Sequence, residues 1–400
     1  MFKFKKAFLA CLVVGVYACV ATYSPMSYVD RPCGNDLGNL WLDIVAVVDN
    51  SHGMTDEGLG DIAATLTTVV SMGTRIGTNY TDPRSTRLAL VTYNSQAKAN
   101  ADLNKFQNLD DVFNNVFNDL QDVAQTDISL LSYGLGKAEQ LFADGQVGYD
   151  RNHYKRAVIV FASAYAGTGD VDPVHAADRL KTSGVKIITV AYNQRGDGSL
   201  LDQLAKIASP RYSFTNNVDG NQLVGDIQNA LIETNCFCKT DWVQYRQSYY
   251  DITSPSFGSC LRPVGITANW RAAQMNCRNQ KEKNTNLHTE FTQHKHDFVL
   301  AAVQNTTGFS MPYTYHIGLN LVTGTWVWDQ PLTFPQPVLQ NWTNWAPGYP
   351  IVSSSMTAVQ NQQSGLQTFW KNIPAYTAPG NYFCETYSCD TDNYCVPSNE

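Results

Sequence analysis

Charge is scarce in this chain, and neither sign dominates. Of 400 residues only 16% are charged, 28 Lys or Arg against 35 Asp or Glu, for a net −7. Without a basic excess there is no electrostatic footprint for nucleic acid. Nucleotide loops are missing too. Gly134-Leu135-Gly136-Lys137 has Leu131 and Ala138 where a phosphate loop needs a Gly and a Ser or Thr. No Gly-x-Gly-x-x-Gly follows a strand, and Gly-x-Ser-x-Gly and His-Glu-x-x-His are absent. These absences, with no close acid pair among the landmarks, argue against a secreted hydrolase and for a chain that is not an enzyme. Between Cys33 and Cys236 there is not one cysteine.

What is present starts with a targeting signature. Lys3, Lys5 and Lys6 precede an apolar run from Ala7 to Val20, with small residues at Ala18 and Ala21. The run is shorter than the ~20 residues a bilayer span takes, so residues 1–21 read as a signal peptide. No later stretch is apolar enough to span. The expected mature chain is secreted and extracellular, with no transmembrane segment. Its 44% hydrophobic content suffices for a large core and excludes a disordered chain.

Ten cysteines occur, two of them (Cys11 and Cys19) inside the signal segment. The other eight form an even set, which in an exported protein reads as disulfides. Cys236-Phe237-Cys238 has no matched second pair, so zinc is the weaker reading. Six of the eight lie beyond residue 237, dividing the chain into a Cys-free and a Cys-rich half.

The first half alternates strands and helices. Leu42–Val48 is a nearly unbroken apolar run ending at Asp49-Asn50-Ser51, a buried strand entering a polar loop. Helical spacing follows over 59–70, then a strand over 88–92, and helices around 112–120 and 130–142. Strands over 157–161 and 185–191, helices over 174–180, 200–207 and 223–232, and an extended piece over 211–214 complete it. This order gives a mostly parallel sheet covered on both faces, whose ligands sit at the carboxyl ends of the strands. The plainest reading of the first loop is local, with Asp49 capping the loop and Ser51 the next helix.

Asp49-Asn50-Ser51-His52-Gly53-Met54 at a strand end resembles the cation loop of von Willebrand factor A domains. The resemblance covers residues 37–235. It implies an Asp-x-Ser-x-Ser loop, a Thr from a second loop and an Asp from a third, all holding one divalent cation. Asp49 and Ser51 match the first two positions. Gly53 stands at the third, and Thr126 is placed at the Thr position. The third loop, Ala162-Ser163-Ala164, has no acid. The expected site is degenerate: weak magnesium or calcium at most, and otherwise no cofactor.

In the second half, Trp242, Cys260, Trp270 and Cys277 lead to Tyr315-His316-Ile317-Gly318-Leu319, Trp326-Val327-Trp328-Asp329 and Tyr382-Phe383-Cys384-Glu385. Trp270, Ala273 and Cys277 share a helix face. His294 and His296, two apart on a second helix, read as solvated. Pro331, Pro335, Pro337, Pro347 and Pro350 exclude a regular helix over 333–358. The order of landmarks over 238–388 resembles a C-type lectin domain. That family implies Cys277–Cys384 and an N-terminal Cys238–Cys260 bridge. Cys33 then pairs with Cys236, and Cys389 with Cys395 in a short tail, 389–400. This is one choice among roughly a hundred pairings. A bridge as long as Cys277–Cys384 is worth about 4–5 kcal/mol on the chain-entropy model.

Lectins of this family grip sugar through calcium, held by acidic and amide triplets. Here those triplets are Tyr349-Pro350-Ile351 and Trp370-Lys371-Asn372, with most of the oxygens gone. Any ligand binding is therefore expected to be calcium-independent. The ligand-binding candidates are Trp342, Trp345, Tyr349, Pro350, Trp370 and Asn372, although Trp342, Trp345 and Tyr349 fit equally well as packing for the loop.

The two resemblances together imply an α/β doubly wound parallel sheet followed by an α+β lectin-like domain. The implied role is that of secreted proteins, best known in nematodes, assigned to innate immune recognition of glycan or protein ligands, microbial surfaces among them. The other expectation is an extracellular-matrix adhesion protein using the A domain. Sequons at Asn79, Asn305 and Asn341 fit a glycosylated surface.

Overall fold

The computed structural model of the chain describes residues 30–71, 73–192, 199–282 and 284–396; the expected signal segment, 1–21, lies outside them. The first sheet has strands β1 (Leu42–Asp49), β2 (Arg87–Tyr93), β3 (Ala97–Ala101), β4 (Lys155–Ala162), β5 (Val185–Ala191) and β6 (Ser213–Thr215) in the order β3-β2-β1-β4-β5-β6. Pairing is parallel except between β2 and β3. β1 is buried along its whole length because helices cover both faces. Ile44, Ala46 and Val48 face a layer built from α1 (Asp56–Val69), α2 (Leu109–Asp119) and α6 (Gly220–Thr234). Val45 and Val47 face the opposite layer of α3 (Leu131–Asp144), α4 (Pro173–Thr182) and α5 (Ser199–Ala205). The strand β3 was not legible in the sequence. It is an edge strand of alternating Ala and polar residues, with no apolar run to mark it.

The second sheet runs β13-β12-β10-β14-β8-β7, with β11 on β10 and β9 on β14. Its strands are β7 (Val243–Arg246), β8 (Ser256–Asn269), β9 (Asn286–Leu287), β10 (Thr314–Val322), β11 (Thr325–Trp328), β12 (Ala358–Ser364), β13 (Gln367–Ile373) and β14 (Pro379–Tyr387). Helices α7 (Trp270–Arg278) and α8 (Gln293–Asn305) accompany it. Between β11 and β12, residues 329–357 form no regular element, as the prolines dictate. Among the described residues no helix is long and apolar enough to cross a membrane.

Four disulfides join Cys33 to Cys236, Cys238 to Cys260, Cys277 to Cys384, and Cys389 to Cys395. The segment from 389 onward is more than the appendage its sequence suggests. Cys389 pairs through its backbone with Phe237 in both directions. Trp41, fully buried, donates its indole N–H to the Asp390 carbonyl at 2.9 Å and packs against Tyr154, Phe237 and Tyr394. The Asp390 carboxylate, also buried, accepts from Arg31 at 2.7 Å and from the Gly34 amide at 3.2 Å. Burial alone would raise its pKa, but the Arg31 guanidinium holds it below the usual range. Asp390→Ala takes the nearest carboxylate from Arg31, leaving it the Gly258 carbonyl and Asp392, strips the Gly34 amide of its acceptor, and should cost about 2–3 kcal/mol. Calorimetry is expected to show the first unit and the lectin-like unit melting apart; a single unshifted transition would refute the clasp.

Candidate functional site

Parallel pairing of β1 with β4, with Val48 opposite Phe161, brings the residues after both strands side by side. Asp49 ends β1 fully buried. One carboxylate oxygen accepts the Ser51 amide at 2.9 Å. The other accepts the Ser129 hydroxyl at 2.9 Å, the Ser163 amide at 3.1 Å and the Ser163 hydroxyl at 2.6 Å. Thr126, placed beside the aspartate by the sequence reading, is elsewhere. Its hydroxyl accepts from the Ile128 amide, and its carbonyl accepts from the His52 amide. Ser129 takes that place because it is the buried residue at the threshold of α3, whereas Asp127 and Ile128 are exposed. The signal was available: a hydroxyl just ahead of an apolar helix start. Ser51 makes no side-chain cap; α1 is capped by Thr55, whose hydroxyl accepts from Gly58.

A divalent cation needs several hard oxygens, usually with more than one carboxylate. Here one carboxylate takes an amide proton on one oxygen and two hydroxyl protons and an amide proton on the other. A methyl group added at Gly53 would lie 3.5 Å from the Ser163 hydroxyl, so the space for a third side-chain oxygen exists but is unfilled. Among the described residues no cluster of three or more His, Cys, Asp or Glu could hold a metal. The residues present do not fit magnesium or calcium.

The lectin-like loop is closed in a similar way. Asn372 accepts the Ile351 amide at 2.8 Å and donates to the Ile351 and Met356 carbonyls at 2.8 and 3.2 Å. Its amide is fully used in holding the loop backbone. Lys371 lies 5.6 Å from the centroid of the Tyr349 ring. Trp370 is fully buried. Trp342 and Trp345 pack edge-on against it at 5.2 and 5.7 Å, and Trp345 also meets Trp326 at 5.3 Å. Trp370 and Asn372 therefore pin the loop from within, while Trp342 and Trp345, both half-buried, pack against Trp370 and keep part of their surface in solvent. At 349–352 the loop offers solvent Tyr349, half-buried, exposed Pro350 and Ile351, and the fully exposed Val352; Leu332 and Val338 are exposed elsewhere in the same segment. Asn372→Ala should release residues 351–356, cost about 1–3 kcal/mol, and make this segment the first site of limited proteolysis. An unchanged cleavage pattern would count against the pin.

Beneath the loop lies a polar centre. Glu290 is fully buried and accepts from His288 at 3.3 Å, Asn361 at 2.9 Å, His296 at 2.9 Å and the Trp370 indole at 2.7 Å. Burial pushes its pKa up, but the two histidines outweigh this and hold it far below the usual carboxylate range. Burial likewise pushes the His296 pKa down, and Glu290 more than restores it. The expectation of a solvated His296 is overturned. His296 and Lys295 point inward from α8, and Lys295 pairs with Glu385 at 2.5 Å. Only His294 of this trio is exposed, and its ring still bonds the Tyr245 hydroxyl. The partners of these groups lie far apart in sequence, which hid them.

The sequence model of the von Willebrand factor type A domain matches residues 43–230. This chain carries a von Willebrand factor type A domain. Solved structures of C-type lectin fold are similar to the part after the A domain. Along 398 residues the chain is 27% identical to C-type lectin domain-containing protein 160 of Caenorhabditis elegans, over 94% of this chain. It spans 58% of the length of that relative. Among solved structures, proximal thread matrix protein 1 from the mussel byssus is 20% identical, covering 51% of this chain and 49% of its own, with a TM-score of 0.41. The C-type lectin domain of murine dendritic cell inhibitory receptor 2 is 18% identical, covering 38% of this chain and 98% of its own, with a TM-score of 0.28. A domains and lectin-like domains are in general non-catalytic binding modules, and their pairing suggests a binding or recognition protein.

Proposed function

We propose that this chain is a secreted, non-enzymatic recognition protein of innate defence that engages glycan or protein ligands, microbial surfaces among them, without a bound cation. In this reading the A domain occupies residues 37–235 and the lectin-like domain 238–388. The observation that carries it is the same at both candidate sites: the polar group left where a cation would be held is spent on the protein itself. Asp49 is taken by Ser51, Ser129 and Ser163, and Asn372 by the backbone of Ile351 and Met356. Recognition then falls to the apolar tip formed by Tyr349, Pro350, Ile351 and Val352. The exposed sequon asparagines Asn79, Asn305 and Asn341 are proposed glycosylation sites. The test is binding of the purified chain to a glycan array and to whole bacteria, with and without a chelator. Binding unchanged by chelation supports the reading. Binding that disappears with chelation and returns with calcium would overturn it. Binding confined to collagen or other matrix proteins would favour an adhesion role.

A further inference from the structure

At the opposite end of the first sheet from Asp49, where β4 and β5 begin, the two units enclose a cleft of about 690 Å³. Five cations line it, Lys155, Lys181, Lys186, Arg211 and Arg246, against a single carboxylate, Glu233. Glu233 is taken by Arg211, and Lys181 pairs with Asp178. Three cations remain. Lys155 meets only the face of the Phe237 ring, at 4.2 Å, and the side chains of Lys186 and Arg246 have no hydrogen-bond or ion-pair partner among the described residues. In a chain of net charge −7 such a concentration runs against the average, and a concave low-dielectric wall focuses its field. Like charges held together in this way destabilise the free protein, and a bound anion relieves that strain. Consistently, burial and then neighbouring cations push the Lys155 ammonium below its usual pKa; burial does the same at Lys186, where Arg246 and Arg211 add to it against Glu233. The cleft is also rigid. Cys236 and Cys238, bonded to Cys33 and Cys260, line it on either side of Phe237.

We infer that this interdomain cleft binds a small polyanion bearing clustered sulfate or phosphate esters, with Lys155, Lys186 and Arg246 as its contacts. Its volume lies in the range of small-ligand sites, about 300–1,000 Å³. Esters suit it because they place several charges within a few ångströms, matching cations spread over two strands of one unit and one of the other. None of the loop residues 331–357 takes part, so failure here leaves the reading of the loops untouched.

The test is calorimetric titration of the full, disulfide-bonded chain with a heparin-derived tetrasaccharide, with inositol hexakisphosphate, and with the desulfated tetrasaccharide. Binding of the first alone identifies a sulfated sugar as the source of the charge, and binding of the second alone a phosphate ester; either supports the site. The variant Lys186→Glu/Arg246→Glu should bind at least tenfold more weakly with no fall in its melting temperature, since neither side chain is paired and the change relieves the repulsion among the cations. Lys98→Glu, on the exposed edge strand β3, should bind as the parent does. The inference is overturned if neither charged probe binds, if the desulfated sugar binds equally well, if the double variant keeps its affinity, or if Lys98→Glu loses as much.

Discussion

Glu290→Ala is expected to unfold the lectin-like domain. Four donors converge on this carboxylate from four places in the chain, and none has another acceptor of comparable strength nearby. Removing it strands a buried His296 whose protonated form Glu290 supports, and leaves the Trp370 indole and the Asn361 amide unpaired. Breaking a buried ion pair from one side costs about 3–5 kcal/mol, and each orphaned neutral donor adds about 1–3. A domain stable by about 5–15 kcal/mol does not survive that sum comfortably, so the variant should fail to accumulate as folded protein. Glu290→Gln, which keeps the volume, is the milder probe and carries a pH signature. The His296 pKa is raised above its ordinary 6.5, so its share of the stability is complete below 6.5 and is lost as pH climbs through the raised value. The Glu290 pKa is depressed from 4.5, so its share is present above 4.5 and is lost on acidification. The parent should therefore be most stable between these values and weaken toward alkaline pH. Glu290→Gln should flatten that decline. A parallel decline in both proteins, followed by chemical denaturation against pH, would refute the pairing.

The second large effect is a gain. Gly53→Ser with Ser163→Asp should convert the A domain from a protein that ignores magnesium into one that needs it. The first change fills an open position within reach of Ser51 and Ser163; the second places a carboxylate where a hydroxyl now donates to Asp49. Two carboxylates facing each other in a buried site repel, so the double variant should melt lower than its parent in a chelator. With magnesium the pair becomes a ligand set. A dissociation constant on the order of 10 µM, about 7 kcal/mol of binding, is the expected scale. At a hundredfold excess over that constant the metal restores about 2.7 kcal/mol. Magnesium-dependent melting in the unmodified chain would show that the serine-filled site already holds the ion. No response in the double variant would show that more than these two residues has been lost.

The sequence made the frame of the A domain legible because its strands are buried on both faces and so read as apolar runs, as Leu42–Val48 does. Its helices declared themselves by spacing. The edge strand β3, with Ala99 and Ala101 between polar residues, carried no such mark. The site was half legible. Asp49 and Ser51 are local to one strand end, but Ser129 and Ser163 meet them only through the sheet, 80 and 114 residues away. The same distance hid the lectin-like centre, where Glu290 and Trp370 lie 80 apart. It also hid that Trp370 is buried beneath the loop, with Trp342 and Trp345 packed edge-on against it. The role of residues 388–395 was invisible for a different reason: short polar segments have no periodicity, and their function comes from distant partners such as Arg31, Trp41 and Phe237.

The Cys33–Cys236 bridge encloses the whole A domain within one covalent ring. A mechanical pull applied between the chain before Cys33 and the chain after Cys236 therefore crosses a single sulfur–sulfur bond and never loads the first sheet. The A domain hangs from the line of tension like a key on a ring. While the bridge is intact, shear on this molecule should stretch the lectin-like part first, and a force trace should show the extension of the A domain only after reduction.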